Sequence, residues 1–339
     1  MTKTKNILLG HGSGGKLSHD LISELFVKYF QNEILSQQTD SALLSLSLKD
    51  IAFTTDAYVV DPLFFPGGNI GKLSVCGTIN DLSVSGAVPK YISASFIIEE
   101  GFSIEELESI VKAMAEEAVK SGVLIVTGDT KVVNKGKCDK IFITTSGIGE
   151  IDEKYKSISS GTRIKTGDQI IINGSIGDHG IAILAARESL NFETPVLSDC
   201  ASLNGIIRNI LESGVNVKFM RDATRGGLAT VLCEVSEKTN TGIELIETSI
   251  HVKEAVKGVC ELFGFDPLYL ANEGKFVIIV AAEDAEKTIS ILKNDFLGKE
   301  STIIGEIVTN HKGIVAMKTE IGGSRIVDMP AGEMLPRIC

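Results

Sequence analysis

The sequence predicts an α/β (α+β) protein of two domains of similar size followed by a flexible arm. Three observations carry that reading. Strand-like and helix-like segments alternate through most of the 339 residues, the pattern of layered architectures that mix helices and sheets. A polar stretch, "EIDEKYKSISSGTRIKTGD" at 150–168, interrupts the alternation before a second series begins. The last stretch, "IGGSRIVDMPAGEMLPRIC", supports neither period and spaces glycine and proline so that no helix can run through it. The expected bounds are 1–155, 160–320 and, for the arm, 321–339.

Each element has its own signal. "IAFTTDAYVV" (51–60) reads as a strand closed by the turn-forming "DPLFFPGG". Residues 69–87 place Ile70, Leu73, Gly77, Asn80 and Val84 at helical spacing. "YISASFII" (91–98) is rich in β-formers. In "SIEELESIVKAMAEEAVKSG", Ser103 can cap a helix, Glu106 can complete a capping box and Gly122 can end it. Strands "VLIVTGDT" and "KIFITTSGIG" follow. The second series opens with "QIIING" and predicts helices near 178–189, 200–213, 225–238 and 251–263. Strands near 275–281 and 302–308 follow, with a short helix between.

Composition narrows the function. Hydrophobic residues make up 43% and charged residues 23%, an ordinary soluble balance. The net charge of -11 argues against a general nucleic-acid binder. No apolar run is long enough for a membrane span or a signal-peptide core, so a cytoplasmic protein is expected. The six cysteines (76, 138, 200, 233, 260 and 339) form no CxxC pair, which argues against zinc and for reduced interior thiols. Cys339 alone falls where no core residue is expected. Extended, the stretch from Gly323 could reach on the order of 50 Å at about 3.3 Å per residue.

Several strings could carry chemistry. In "GHGSGGKL", Gly10, Gly15 and Lys16 fit part of a phosphate loop, but Leu17 stands where the magnesium-binding hydroxyl should be. A mobile glycine-rich segment, or one whose N–H groups fold over an anion with Lys16 as counter-charge, are the other readings. Asp40, Asp56, Asp81 and Asp129 each sit at a strand end or on an apolar element. Any one of them reads as a cap or structural hydrogen bond. Converging without basic neighbours, they would suit Mg²⁺ carrying the phosphates of a nucleotide. "NGSIGDHGIAI" puts Asp178 and His179 at a strand-to-helix turn. "RDATRGGLATVL" puts Arg221, Asp222, Thr224 and Arg225 before a helix start that offers free N–H groups to an anion. "ANEGKFVII" puts Glu273 before a strand. Alone, His179 reads as structural and Glu273 as a turn cap.

Together these strings resemble, over nearly the whole chain, the ATP-binding enzymes typified by aminoimidazole ribonucleotide synthetase, selenophosphate synthetase and thiamine-phosphate kinase. Within that superfamily, "HGSGGK", "TINDLSVSGA", "GDTKVV", "GDHG", "RDATRGGL", "ANEGK" and the terminal "PRIC" are most similar to the carbamoyl dehydratases of [NiFe]-hydrogenase maturation. The resemblance implies a homodimer whose N-terminal domains join their strands in an intersubunit β-barrel. ATP would lie between the two domains, with Gly12, Gly14, Gly15 and Lys16 closing over its phosphates and Asn80, Asp129 and Asp222 as further contacts. The Walker-like spacing is then coincidental. Asp40, Asp56, Asp81 and Asp129 would be the Mg-ATP carboxylates.

The same resemblance implies that a carbamoyltransferase, HypF, loads a carbamoyl group onto Cys339. ATP-driven dehydration to a thiocyanate follows, and the cyano group passes to iron on a HypC–HypD complex. Lys131 and Glu273 are the candidate bases. A lysine base needs burial or a positive neighbour. A carboxylate next to Cys339 disfavours its thiolate, so the free thiol is expected to be sluggish. A small-molecule kinase or synthetase of the same superfamily, and a non-catalytic thiol-tailed carrier, are the alternatives.

Overall fold

The computed structural model describes residues 5–13, 16–37, 41–187, 195–329, 335 and 337–339. The first half contains α1 (Lys16–Leu21), β1 (Ile51–Tyr58), β2 (Phe64–Phe65), β3 (Gly68–Asn69), α2 (Ile70–Val84), β4 (Ala87–Glu99), α3 (Ile104–Ser121), β5 (Leu124–Val133) and β6 (Ile141–Ile151). The second contains β7 (Gln169–Ile172), α4 (Asp178–Ala186), α5 (Asn204–Glu212), β8 (Val217–Asp222), α6 (Gly227–Thr239), β9 (Gly242–Ile246) and α7 (Glu254–Phe263). It closes with β10 (Phe276–Val280), α8 (Ala285–Lys293), β11 (Thr302–Val308), β12 (Val315–Lys318) and β13 (Ser324–Val327).

Two sheets organise these elements. The first has the order β1-β6-β4-β5, antiparallel except for the parallel pair β4 and β5. The second has the order β13-β12-β9-β11-β7-β10-β8, with one parallel pair, β12 and β9. The polar stretch after Ile151 carries the chain from one sheet to the next. No helix among the described residues is long and apolar enough to cross a membrane.

The first sheet is open, with β1 and β5 as its edges, so the expected barrel is not closed within one chain. Its inner face carries α2, where Thr78 and Thr145 share a hydroxyl hydrogen bond of 2.6 Å. Its outer face carries an exposed apolar row. Register aligns Phe53 with Ile148, Ile148 with Tyr91, and Tyr91 with Leu124, a row that crosses all four strands. Phe53 at one end of the row is 65% exposed, Leu124 at the other end is exposed, and Ile51 is exposed beside Phe53 on β1. A sheet face of that character is built to be covered.

The α3 helix forms where its caps predict: the Ser103 hydroxyl accepts from the Glu106 N–H at 3.4 Å, and Gly122 ends it at φ +68°. Helix α2 is buried on nearly every face because it lies between the two halves, touching β1, β4 and β6 on one side and α5 and β8 on the other. Gly77 is one reason it can: a Cβ there would lie 2.3 Å from the Tyr58 hydroxyl oxygen.

The arm differs from expectation. Residues 324–327 form β13 and add an edge to the second sheet, with Val327 buried in its core. Four residues are too few for their alternation to stand out between glycines and a proline. The last described residues, 335 and 337–339, are also seated: Leu335 and Ile338 are buried in the core of the first half. The free arm is therefore corrected to a docked end. Residues 330–334, which would join the two seated pieces, lie outside the described residues.

Candidate active site

A cluster of carboxylates lies where the two halves meet. Asp56 is supplied by β1 and Asp81 by the last turns of α2. Asp222 ends β8, and Glu273 stands just before β10. Thr54 donates to Asp81 Oδ2 at 2.7 Å, and the Tyr58 hydroxyl to Asp56 Oδ2 at 3.2 Å. Arg221 offsets part of the charge on Asp81 and Asp222 while pairing with Glu234.

Burial and mutual repulsion raise the proton affinity of this group. Burial first, then Asp56, pushes Asp81 up to about 6. Burial and then Asp81 push Asp222 up to about 7. Glu273, only 3% exposed, is held well above the carboxylate range by burial and then by Asp222 and Asp199. Like charges this close in a poorly solvated space resist ionising together.

The Glu273 backbone is fixed from several sides. Its N–H donates to Asp199 Oδ1 at 3.1 Å, and the Gly274 N–H to Asp199 Oδ2 at 3.2 Å. Asp199 also pairs with Lys275 at 3.2 Å. Burial alone would raise the Asp199 carboxyl, but Lys275 and the Glu273 N–H outweigh it and hold it low. Asn80 donates to the carbonyls of Ala201 (3.0 Å) and Glu273 (3.3 Å) and accepts from the Leu203 N–H (2.8 Å). Asn80, expected as a nucleotide contact, instead bolts α2 to the second half.

A second region gathers Gly12, Asp129 and Lys131. They line a cavity of about 240 Å³ with His11, Phe26 and Phe96. Gly12 lies against β5 so closely that a Cβ would meet the Val132 nitrogen at 2.3 Å, so only glycine lets the N-terminal segment lie there. Lys131 is exposed and pairs with Asp129 at 3.2 Å. That is neither the burial nor the positive neighbour that a lysine base requires. Lys16 opens α1. Gly14, Gly15 and Asp40 lie outside the described residues.

The expected four-aspartate metal set is not pre-assembled. Among the described residues no group of three or more His, Cys, Asp or Glu side chains is close enough to hold an ion.

The chain's last residues dock beside the end of β1. Val59 N–H donates to the Cys339 carbonyl at 3.1 Å and Asp61 N–H to the Arg337 carbonyl at 3.2 Å, so the tail lies along the continuation of β1. Cys339 is thereby placed opposite Val59, three residues along the chain from Asp56. Arg337 donates to the Val59 carbonyl at 2.9 Å and pairs with Asp139 at 2.5 Å. Arg187 donates to the carbonyls of Asp61 (3.1 Å) and Arg337 (3.2 Å).

Sequence reasoning missed Asp199, Arg187 and Asp139, none of which lies in a recognisable string. His179 was singled out and read as structural.

Comparisons with known proteins agree with this architecture. Residues 38–151 match the family described as AIR synthase related protein, N-terminal domain, and residues 165–318 match its C-terminal domain. Fold and cleft thus define an AIR synthase related protein. Carbamoyl dehydratase HypE of Cupriavidus necator is 48% identical over 99% of this chain and 96% of its own length. That of Escherichia coli is also 48% identical, over 98% and 99%. The chain belongs to the HypE carbamoyl dehydratase family. A solved HypE in complex with ATP superposes with a TM-score of 0.93 at 46% identity, covering 98% of this chain and 99% of that one. HypE from a HypE–HypF complex gives 0.79 at 50% identity, covering 91% and 99%. A thiamine monophosphate kinase from Aquifex aeolicus, at 16% identity and a TM-score of 0.61, shares the fold.

The raised carboxyls make stability depend on pH. A carboxyl whose folded value lies above its unfolded 3.8 favours the native state most below that value and loses the advantage as pH rises through the folded one. Asp81 and Asp222 should therefore lower stability between about pH 4 and pH 7. Asp222→Asn removes one contribution, flattens that slope and gains on the order of 1–3 kcal/mol at pH 8. Urea unfolding across this range checks it; parallel slopes for the two proteins would contradict the cluster.

Proposed function

We propose that this chain uses ATP to dehydrate a carbamoyl group carried on Cys339 to a thiocyanate, which supplies cyano ligands to the iron of [NiFe]-hydrogenase. The observation that carries the reading is the docked tail: the residue that would bear the cargo lies beside a strand that leads straight to the carboxylate cluster. The close relatives named carbamoyl dehydratase support it.

The chemistry needs an oxygen made into a leaving group. The γ-phosphoryl group of ATP passes to the carbamoyl oxygen, the nitrogen gives up its two protons, and phosphate departs as the C–N triple bond forms. Thiocarbamate and ATP become thiocyanate, ADP and phosphate. Gly12 and Lys16 face the phosphates in this reading, together with Gly14 and Gly15. Asp81 and Asp222, crowded by Asp56, would contribute ligands to a magnesium ion shared with those phosphates, and Asp40 and Asp129 remain candidates for the same set. Bound there, the ion would neutralise charge on the transferring group. Glu273, held by Asn80 and Asp199, is the base for the nitrogen, and its high proton affinity suits a group that ends the step holding a proton. Lys131, paired with Asp129, serves better as a phosphate counter-charge than as a second base.

The partners follow from the cargo. A HypF carbamoyltransferase loads Cys339, in keeping with the solved HypE–HypF complex. A HypC–HypD complex receives the cyano group. The apolar row on the first sheet supports a homodimer in which two such sheets close a barrel. Six free cysteines suit the reducing cytoplasm.

Carbamoylated protein given ATP should lose the mass of one water, and Cys339→Ala should abolish both loading and loss. A small-molecule kinase of this fold would tolerate that change. Glu273→Gln should slow dehydration by about 10²–10⁴. It should also flatten a pH–rate profile that in the parent rises above the ordinary carboxylate range; an unchanged profile would remove Glu273 from the mechanism. Separately, Phe53→Glu should convert the dimer to monomer in light scattering, and a dimer that survives it would place the interface elsewhere.

A further inference from the structure

His179 is fully buried on the first turn of α4, and both its ring nitrogens are engaged. Nε2 lies 2.8 Å from the carbonyl oxygen of Ile338, and Nδ1 lies 2.8 Å from Ser198 Oγ. The ring packs edge-on against Phe65 at 5.6 Å between centroids. A carbonyl oxygen only accepts, so Nε2 carries the proton. Burial lowers the proton affinity of the imidazole below its usual value, against the pull of the Asp199 carboxylate, and so favours the neutral ring with its one proton on Nε2. Nδ1 then accepts from the Ser198 hydroxyl, whose oxygen in turn accepts from the Cys200 N–H at 3.1 Å. The partners leave a single consistent arrangement.

We infer that His179 is a positioning residue for the terminal thiol, setting Cys339 in place through the Ile338 carbonyl one residue before it. The arrangement reaches further, because the same three-residue loop fixes Glu273. Ser198 orients His179, and Asp199 binds the N–H groups of Glu273 and Gly274. The loop is itself anchored to the other half by the Ser198 N–H, which donates to the Pro66 carbonyl at 2.8 Å. Base and cargo are therefore registered against one hydrogen-bonded segment, 198–200. The inference rests on the dehydratase reading for its catalytic consequence, but not for the clamp itself. A displacement of about 1 Å between reacting groups can cost 10²-fold in rate, which is the scale of effect a lost clamp should produce.

The test compares His179→Phe, which keeps an aromatic ring but loses the donor, with His179→Gln, which retains an N–H. Two readouts are needed. One is the alkylation rate of Cys339 by iodoacetamide, followed by mass on the terminal peptide and referred to a synthetic peptide of the same last residues. The other is the single-turnover rate of water loss from carbamoylated protein mixed with ATP. The Phe variant should alkylate close to the peptide rate and dehydrate about 10- to 100-fold more slowly, with ATP affinity unchanged. The Gln variant should stay near the parent in both. A Phe variant that matches the parent in both readouts overturns the inference. So does a parent protein whose Cys339 alkylates as fast as the peptide, a result independent of any variant's folding. If the Phe variant does not fold, Ser198→Ala must raise the alkylation rate in the same direction. Absence of water loss in the parent would sink the dehydratase reading, while the alkylation comparison would still decide the clamp.

Discussion

Carboxylates forced together between two sheets are the constraint on which this structure turns. Asp81 and Asp222 come from opposite halves, and Glu273 is buried beside them with its proton affinity raised by burial and by its neighbours. Nothing in hydrophobic packing favours such an arrangement, since each buried carboxyl opposes ionisation of the next. It persists because the surrounding structure over-determines it. Asn80 spends its amide on the backbone of the second half, and Asp199 with Lys275 fixes the chain at Glu273. Under the proposed function, such a site would gain from the arrival of magnesium with the nucleotide.

Much of the fold was legible because periodicity and caps act locally. Helix α3 announced itself through Ser103, its apolar face and Gly122, and β1, β5 and β6 through their β-branched runs. What stayed hidden was either short or non-local. Strands β8, β9, β12 and β13 are short and lack the unbroken β-branched run that marks the equally short β7 and β10. The docking of the tail depends on pairing with Val59 and Asp61, far away in sequence, and no local pattern encodes that.

The site shows the same division. Asp56 and Asp81 were visible because carboxylates at strand ends or on apolar elements are chemically out of place, and Asp222 and Glu273 through the strings that carry the family resemblance. Asn80 was visible too, but only the folded structure shows its amide engaged by backbone groups of the second half. Lys131 is exposed and paired rather than buried, so its place among the bases weakens. Asp199, Arg187 and Asp139 act by holding other residues, and a residue that positions another leaves no mark in its own string. The tail makes the point most sharply: glycine and proline argued for a free arm, yet an arm that must deliver a thiol also needs a berth. Arg337, Ile338 and Cys339 supply it with backbone groups and one ion pair.

The central claim is that ATP activates the carbamoyl oxygen on Cys339 by phosphorylating it. Carbamoylated protein whose carbamoyl oxygen is ¹⁸O, mixed with ATP in ordinary water, tests this directly through the isotopic mass of the phosphate released. The account predicts that the label appears in inorganic phosphate, one ¹⁸O for each thiocyanate formed. Label found in water, with unlabelled phosphate, would contradict it.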